Sequence, residues 1–242
     1  MRYLATVSYN GSAYYGWQKQ VGKISIQEII EGVLSRILDK ETKIYASGRT
    51  DAGVHSLGQT FHFDAKEIKD LGKFTYSINS LLPKDIFVDT IMKVDDNFHA
   101  RYNVKRKIYS YYINIGKYDL FKVDEIYQFI RPLDIEKMKE CLNVFLGEHC
   151  FQNFTSKDED ENNFVRIIYD AKLSLDNNII KITFEGNGFM RYMVRMIVGT
   201  LIEVGLGKLK IEEVKAILDD KNRNVVSYKA PASGLYLDKV IY

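Results

Sequence analysis

Nine consecutive residues, Ser47-Gly48-Arg49-Thr50-Asp51-Ala52-Gly53-Val54-His55, are the stretch of this chain best suited to chemistry. Small and polar residues between two apolar segments make a tight loop in which the backbone can approach a ligand closely. The loop holds one carboxylate, Asp51, two residues from the guanidinium of Arg49. A guanidinium within reach lowers a carboxyl pKa by about 1–3 pH units from its ordinary value near 3.9. Asp51 would then be fully ionised at pH 7, suited to act as a nucleophile or an anchor and unsuited to donate a proton. The same spacing fits a structural turn with a surface ion pair, and spacing by itself leaves both open.

A second constellation spans residues 97–117. It contains Arg101, Lys105, Arg106, Lys107 and Lys117 and no carboxylate, with Tyr102, Tyr109, Tyr111 and Tyr112 interleaved. Cations for phosphate and aromatic faces for unstacked bases are what a single-stranded RNA site requires. An edge strand with a solvated basic flank has the same composition. Period-two alternation puts Tyr109 and Tyr111 on one face and Tyr112 on the other, so only one set can serve a site. Arg191 and Arg195 stand four apart in a very apolar stretch, expected to be a helix over residues 189–204. A cation there is costly to bury without an anion, and Asp51 is the obvious unmatched one. The plainer alternative is that both arginines reach the surface, Arg191 above all. Gly186-Asn187-Gly188, just before that helix, is a weak phosphate-loop signal and more often only a turn.

Metal chemistry is not expected. His55, His62, His99 and His149 never fall at ligand spacing, and the His149-Cys150 pair cannot fill a zinc site. There is no phosphate-binding Gly-x-x-x-x-Gly-Lys motif, no serine nucleophile elbow and no His-Glu-x-x-His. Any chemistry rests on one carboxylate with arginines and tyrosines.

The elements that must hold these residues are readable from periodicity. Residues 3–9 are rich in β-formers and end at the turn dipeptide Asn10-Gly11. Ser25-Ile26-Gln27-Glu28 has capping-box form and opens an amphipathic run through Ile26, Ile30, Leu34 and Leu38. Strands are expected at 43–46, 58–63 and 86–94, with a short helix over 74–81 ending before Pro83. In the second half the pattern gives a strand at 107–115, a helix capped by Asp134, and a hairpin of 165–175 with 179–184. The 189–204 helix, a surface helix at 211–218 and a closing strand at 234–242 follow. With Rossmann glycines missing after the first strand, the expectation is α+β: two similar half-domains, residues 1–103 and 104–242, with mainly antiparallel sheets meeting at a central basic cleft.

The chain has 242 residues, 34 Lys+Arg against 32 Asp+Glu, 46% hydrophobic and 27% charged residues. That composition excludes a collagen-like or disordered protein and a polybasic coating protein. A small net charge does not exclude a nucleic-acid enzyme, because a local stripe suffices. The acidic run Asp158-Glu159-Asp160-Glu161 reads as a solvated loop. Two cysteines make no disulfide framework, the opening residues do not read as a leader, and the longest uncharged apolar run is far below the roughly 18 residues of a membrane span. A soluble cytoplasmic protein is expected.

Several separate motifs in order resemble one family. GRTDAGVHSLGQTFHF (residues 48–63) resembles the signature of the tRNA pseudouridine synthase A family. YNGSAYYGWQ (9–18), SIQE (25–28), LLPKDI (81–86), FHAR (98–101), KIYSYYI (107–113), FMRYMVRMIVG (189–199) and APASGLYL (230–237) extend the resemblance over the whole chain. The resemblance implies the pseudouridine synthase fold and conversion of uridine to pseudouridine at positions 38 to 40 of the tRNA anticodon stem-loop. It implies that Asp51 is the catalytic nucleophile, that Tyr109 packs on the target uracil, and that Arg49 and Arg195 frame Asp51. It also implies a homodimer that uses neither metal nor organic cofactor. Arg101, Lys105 and Arg106 would then supply phosphate contacts that position the stem. A tRNA-binding protein or RNA chaperone without catalysis is the alternative, and it makes Asp51 dispensable. An aspartate-nucleophile hydrolase would need a second acid or base close by in sequence, or a metal site, and shows neither.

Overall fold

The computed structural model describes residues 1–156 and 163–242; the acidic run at 158–161 lies outside the described residues. Strand β1 (Arg2–Tyr9) buries Tyr3, Ala5, Val7 and Tyr9 on one face, as period two dictates. Helix α1 (Ile26–Leu38) covers that face with Ile26, Ile30 and Leu34, and starts where the Ser25 Oγ accepts the Glu28 N–H. The strand expected from residue 43 shrinks to β2 (Tyr45–Ala46). Its upstream N–H groups are taken by helix side chains: Thr42 donates to the Ser35 Oγ at 2.9 Å and Ile44 to the Glu31 Oε1 at 3.2 Å. Strand β3 (His55–Asp64) runs antiparallel to β1, with Phe61 and Phe63 in the same core. Asp70 caps helix α2 (Leu71–Leu81), which stops at an extended Leu82 before Pro83. Strand β4 (Ile86–Val94) pairs with the other edge of β1.

In the second half, β5 (Arg106–Asn114) receives the short parallel strand β6 (Tyr127–Gln128) on one edge and antiparallel β9 on the other. Helix α3 (Ile135–Leu142) is capped by the Asp134 carboxylate on the Lys137 N–H at 3.1 Å, and a single 3-10 turn then carries Phe145 into the core. Strand β7 (Gly147–Cys150) pairs with β8 (Val165–Asp176), which forms a hairpin with β9 (Ile179–Gly186). Asn177 and Asn178 turn that hairpin at φ 47° and 63°, the left-handed pair that a two-residue connection demands. Helix α4 (Met193–Gly205) is buried almost all round, and α5 (Ile211–Asp219) is amphipathic.

Helix α4 begins four residues later than its apolar pattern suggests. Tyr192 stands at φ 62°, a left-handed conformation that no helix continues through. The Arg191 carbonyl is diverted sideways, accepting from the Thr155 hydroxyl at 3.0 Å and the Ser156 N–H at 3.4 Å. Arg191 and Arg195 are therefore not neighbours on one helix: Arg191 lies in a turn and Arg195 in the first turn of α4.

The closing strand β10 (Leu235–Ile241) runs parallel to β3, with Tyr236 opposite His55 and Leu237 opposite Ser56. Packing divides the chain into Met1–Lys105 with Tyr236–Tyr242, and Arg106–Leu235. Each unit is α+β, and most of its strand pairs are antiparallel.

Candidate active site

The loop at residues 47–55 is tied down at almost every residue, and mostly by the segment that follows β1. The Trp17 N–H donates to the Thr50 carbonyl at 3.1 Å, and the Gly53 N–H to the Tyr14 carbonyl at 3.2 Å. The Gly11 N–H donates to the His55 Nδ1 at 3.1 Å, and the Tyr9 hydroxyl shares a 2.8 Å hydrogen bond with the Thr50 Oγ1. From β3, the Gln59 amide donates to the Gly48 carbonyl at 3.0 Å while its oxygen accepts from the Ser47 hydroxyl. Gly16 makes this docking possible. It sits at φ 86°, and a Cβ there would come within 2.5 Å of the Thr50 carbonyl oxygen and 3.0 Å of the Asp51 carbonyl carbon.

Asp51 emerges from this frame half-buried, with its own carbonyl accepting the Val54 N–H at 3.2 Å; Arg49 is exposed. Beneath the loop lie Tyr9, Ser56 and Gln59, all buried and polar, with burial pushing the Tyr9 phenol above its ordinary pKa so that it stays neutral. A carboxylate on such a loop is preorganised, because the backbone that carries it has few alternatives. Sequence reasoning singled out the loop but assigned no role to Tyr9, Tyr14, Gly16 or Trp17. The signal for them was present in the motif YNGSAYYGWQ (9–18), with its glycine and aromatic density, but it carried no role.

In the second unit, β5 separates its tyrosines as the alternation requires. Tyr111 is fully buried, and its hydroxyl donates to the Pro231 carbonyl at 2.7 Å. Gly234 leaves the room for that ring, since a Cβ there would approach it to 2.6 Å. Tyr111 is therefore a core residue. Tyr109, on the same face, lies opposite Phe184 and meets the Phe189 ring edge-on at 5.1 Å. Tyr112 faces the other way and is half-exposed, with the Lys181 ammonium 5.4 Å from its ring.

Arg195 is half-buried and clamped to the segment before β10. Its Nε donates to the Ala230 carbonyl at 2.8 Å, and the Ala230 N–H returns a bond to its carbonyl at 3.0 Å. Burial raises the Tyr111 phenol pKa well above normal, and the positive charge of Arg195 partly offsets this. Arg191 is exposed, with its guanidinium over the Tyr192 ring at 4.9 Å.

The expected phosphate contacts differ among themselves. Arg101 and Lys105 are exposed, whereas the Arg106 guanidinium is already bonded to Glu185 at 2.7 Å. Gly186-Asn187-Gly188 is a structural turn: the Asn187 N–H and side-chain oxygen both bond the Ile167 backbone, extending the hairpin. Among the described residues no three His, Cys, Asp or Glu side chains converge as a metal site would need.

The family described as "tRNA pseudouridine synthase" matches this chain over residues 5–103 and 142–242. A protein of Thermoanaerobacter sp. (strain X514) named tRNA pseudouridine synthase A is 38% identical over 99% of this chain and 98% of its own. Proteins with the same name from Geobacillus sp. (strain WCH70) and Bacillus licheniformis are each 39% identical over 100% of this chain, covering 98% and 99% of their own. A solved chain of a Cbf5-Nop10-Gar1 complex aligns over 95% of this chain and 56% of its own, with a TM-score of 0.35 at 14% identity, a likeness too loose to inform the site.

Proposed function

The chain belongs to the tRNA pseudouridine synthase family, whose reaction is the isomerisation of uridine to pseudouridine, and we propose that Asp51 is the nucleophile of that reaction in this protein. The substrate we assign is tRNA, at uridines 38 to 40 of the anticodon stem-loop. The observation that carries the assignment is the set of bonds to Gly48, Thr50 and Gly53, which fixes the backbone on either side of the one carboxylate in the loop.

The reaction breaks the N1–C1′ bond, turns the uracil and joins C5 to C1′; the proton lost from C5 is balanced by one gained at N1. Nothing is consumed. Whether the carboxylate adds to the ring or attacks C1′, it must be ionised, and a neighbouring guanidinium serves that end. Arg49 and Arg195 are assigned this role. The target nucleotide must leave its stack, at a cost of a few kcal/mol. Stacking on Tyr109 offsets this by roughly 1–3 kcal/mol. Arg101 and Lys105 contact phosphates, and Arg106 does so only by exchanging Glu185 for the RNA. A homodimer in the cytoplasm completes the proposal.

The test is Asp51→Asn, incubated with tRNA carrying C5-tritiated uridine. Tritium release falls to background while tRNA is still bound. Release at the wild-type rate sinks the assignment of Asp51.

A further inference from the structure

The turn that follows β4 has a construction that the reaction at Asp51 does not account for. Tyr102 is 76% exposed, yet its ring is packed 4.3 Å from the His99 ring. His99 in turn meets His62 edge-on at 4.6 Å, and His62 stacks on Tyr45 at 5.0 Å with their planes 17° apart. Three rings thus run from the buried His62 to the solvent-facing Tyr102, and the exposed Tyr45 ring also packs on His62.

The backbone beneath them is held firmly. The His62 Nδ1 accepts the Ala100 N–H at 3.1 Å, and the His99 Nδ1 accepts the Arg101 N–H at 3.1 Å. The Asn103 side chain accepts the His99 N–H at 2.7 Å, and the Tyr242 hydroxyl donates to the Ala100 carbonyl at 2.8 Å. A ring nitrogen that accepts an N–H is unprotonated, so both imidazoles are neutral. Burial, followed by the charges of Arg2 and Arg101, holds the His99 pKa below its ordinary value, in the same sense. At the outer end stands Arg101, exposed, 6.0 Å from the Tyr102 ring and in no ion pair among the described residues.

We propose that this turn is a stacking platform for an unpaired RNA base, with Tyr102 as the receiving face and Arg101 on the adjoining phosphate. An exposed tyrosine ordinarily loses rotamer freedom when a ligand stacks on it. Here the ring already rests on His99, so that cost is largely met before binding. A cation beside an aromatic face is the pair that single-stranded nucleic acid selects, because every base has a π-face and every nucleotide a phosphate. The inference rests on the reading of the protein as a tRNA enzyme. It adds a second nucleotide contact, distinct from the target uracil assigned to Tyr109.

The experiment compares the full-length wild-type protein with Tyr102→Ala, Tyr102→Leu and Tyr102→Phe, using unmodified full-length tRNA. Equilibrium affinity is read by filter binding, and kcat and KM by tritium release. Ala and Leu each weaken binding roughly 5- to 100-fold, which is the worth of one base–aromatic stack. The loss appears mainly in KM, and Phe stays within about two-fold of wild type because it keeps the ring. Arg101→Gln instead lowers the slope of log affinity against log salt by about 0.7–0.9, the signature of one phosphate contact. Unchanged affinity in the Ala and Leu variants overturns the platform, as does an equal loss in Phe. The affinity ratio between variants does not depend on which residue is the nucleophile, so a failure of the Asp51 assignment would not disturb this result.

Discussion

At the scale of single residues, Asp51 and its supports form one device. The backbone on either side of Asp51 is bonded to a distant segment, Thr50 to Trp17 and Gly53 to Tyr14. Gly16 is the support with least tolerance, since an alanine there would face the Thr50 carbonyl at 2.5 Å and a left-handed φ of 86°. Gly16→Ala should cut kcat at least about ten-fold, by the sensitivity of positioned groups to small displacements, with a lowered melting temperature. Wild-type kcat in that variant would show that the frame does not position Asp51. Arg195 makes a different kind of test. Arg195→Ala should abolish turnover while tRNA affinity changes much less, and Arg195→Lys should not restore activity, because an ammonium lacks the planar fork that can hold Ala230 and present a second edge. An equal fall in turnover and affinity would make Arg195 a phosphate contact. The composition of residues 47–55 and the spacing of the tyrosines were legible without coordinates. That Tyr111 is spent on Pro231 was not, because its partner is 120 residues away.

At the scale of elements, capping and periodicity decide most boundaries, and hydrogen bonds claimed by a neighbouring element decide the exceptions. Ser25, Asp70 and Asp134 each cap a helix with the bond that their side chains predict. Ser25→Ala should cost about 1 kcal/mol, measured as a lower urea midpoint with unchanged slope. A midpoint equal to wild type would mean that the 3.4 Å bond to Glu28 contributes nothing. The exceptions are β2 and α4. Strand β2 is short because side chains of α1 take the N–H groups just upstream, and α4 starts late because Thr155 and Ser156 hold the Arg191 carbonyl. The competitors for β2 lie 7 and 13 residues away, but they are side chains on a helix face whose packing a propensity window does not register, and Thr155 lies 36 residues from Arg191. Period and hydrophobicity report what a segment can be, not which neighbour claims its backbone.

At the scale of the whole molecule, the buried His62 and its half-buried neighbour His99 set a pH dependence. Burial, reinforced by Arg2 and His99, lowers the His62 pKa from 6.5 to about 4, and His99 is shifted in the same direction. Between those values the unfolded chain binds a proton that the folded His62 refuses. Stability is thus full above pH 6.5 and declines as the pH falls toward 4. Urea midpoints should drop between pH 7 and pH 5, and His62→Asn, which can still accept the Ala100 N–H, should flatten that drop. An identical slope in the variant would assign the effect to other groups. The proposed homodimer predicts light scattering at twice the 28.1 kDa chain mass; a monomer at micromolar concentration would remove it. The sequence by itself determined the α+β class, most element boundaries, the loop that carries Asp51 and the family, because each depends on residues close together in the chain. Only the tertiary structure decided that β10 pairs with β3, that Arg106 is engaged by Glu185, that Tyr111 belongs to the core and that Arg191 leaves the helix. Each of those rests on a contact such as the Ser56 hydroxyl on the Leu237 carbonyl, 181 residues apart, where no local propensity reaches.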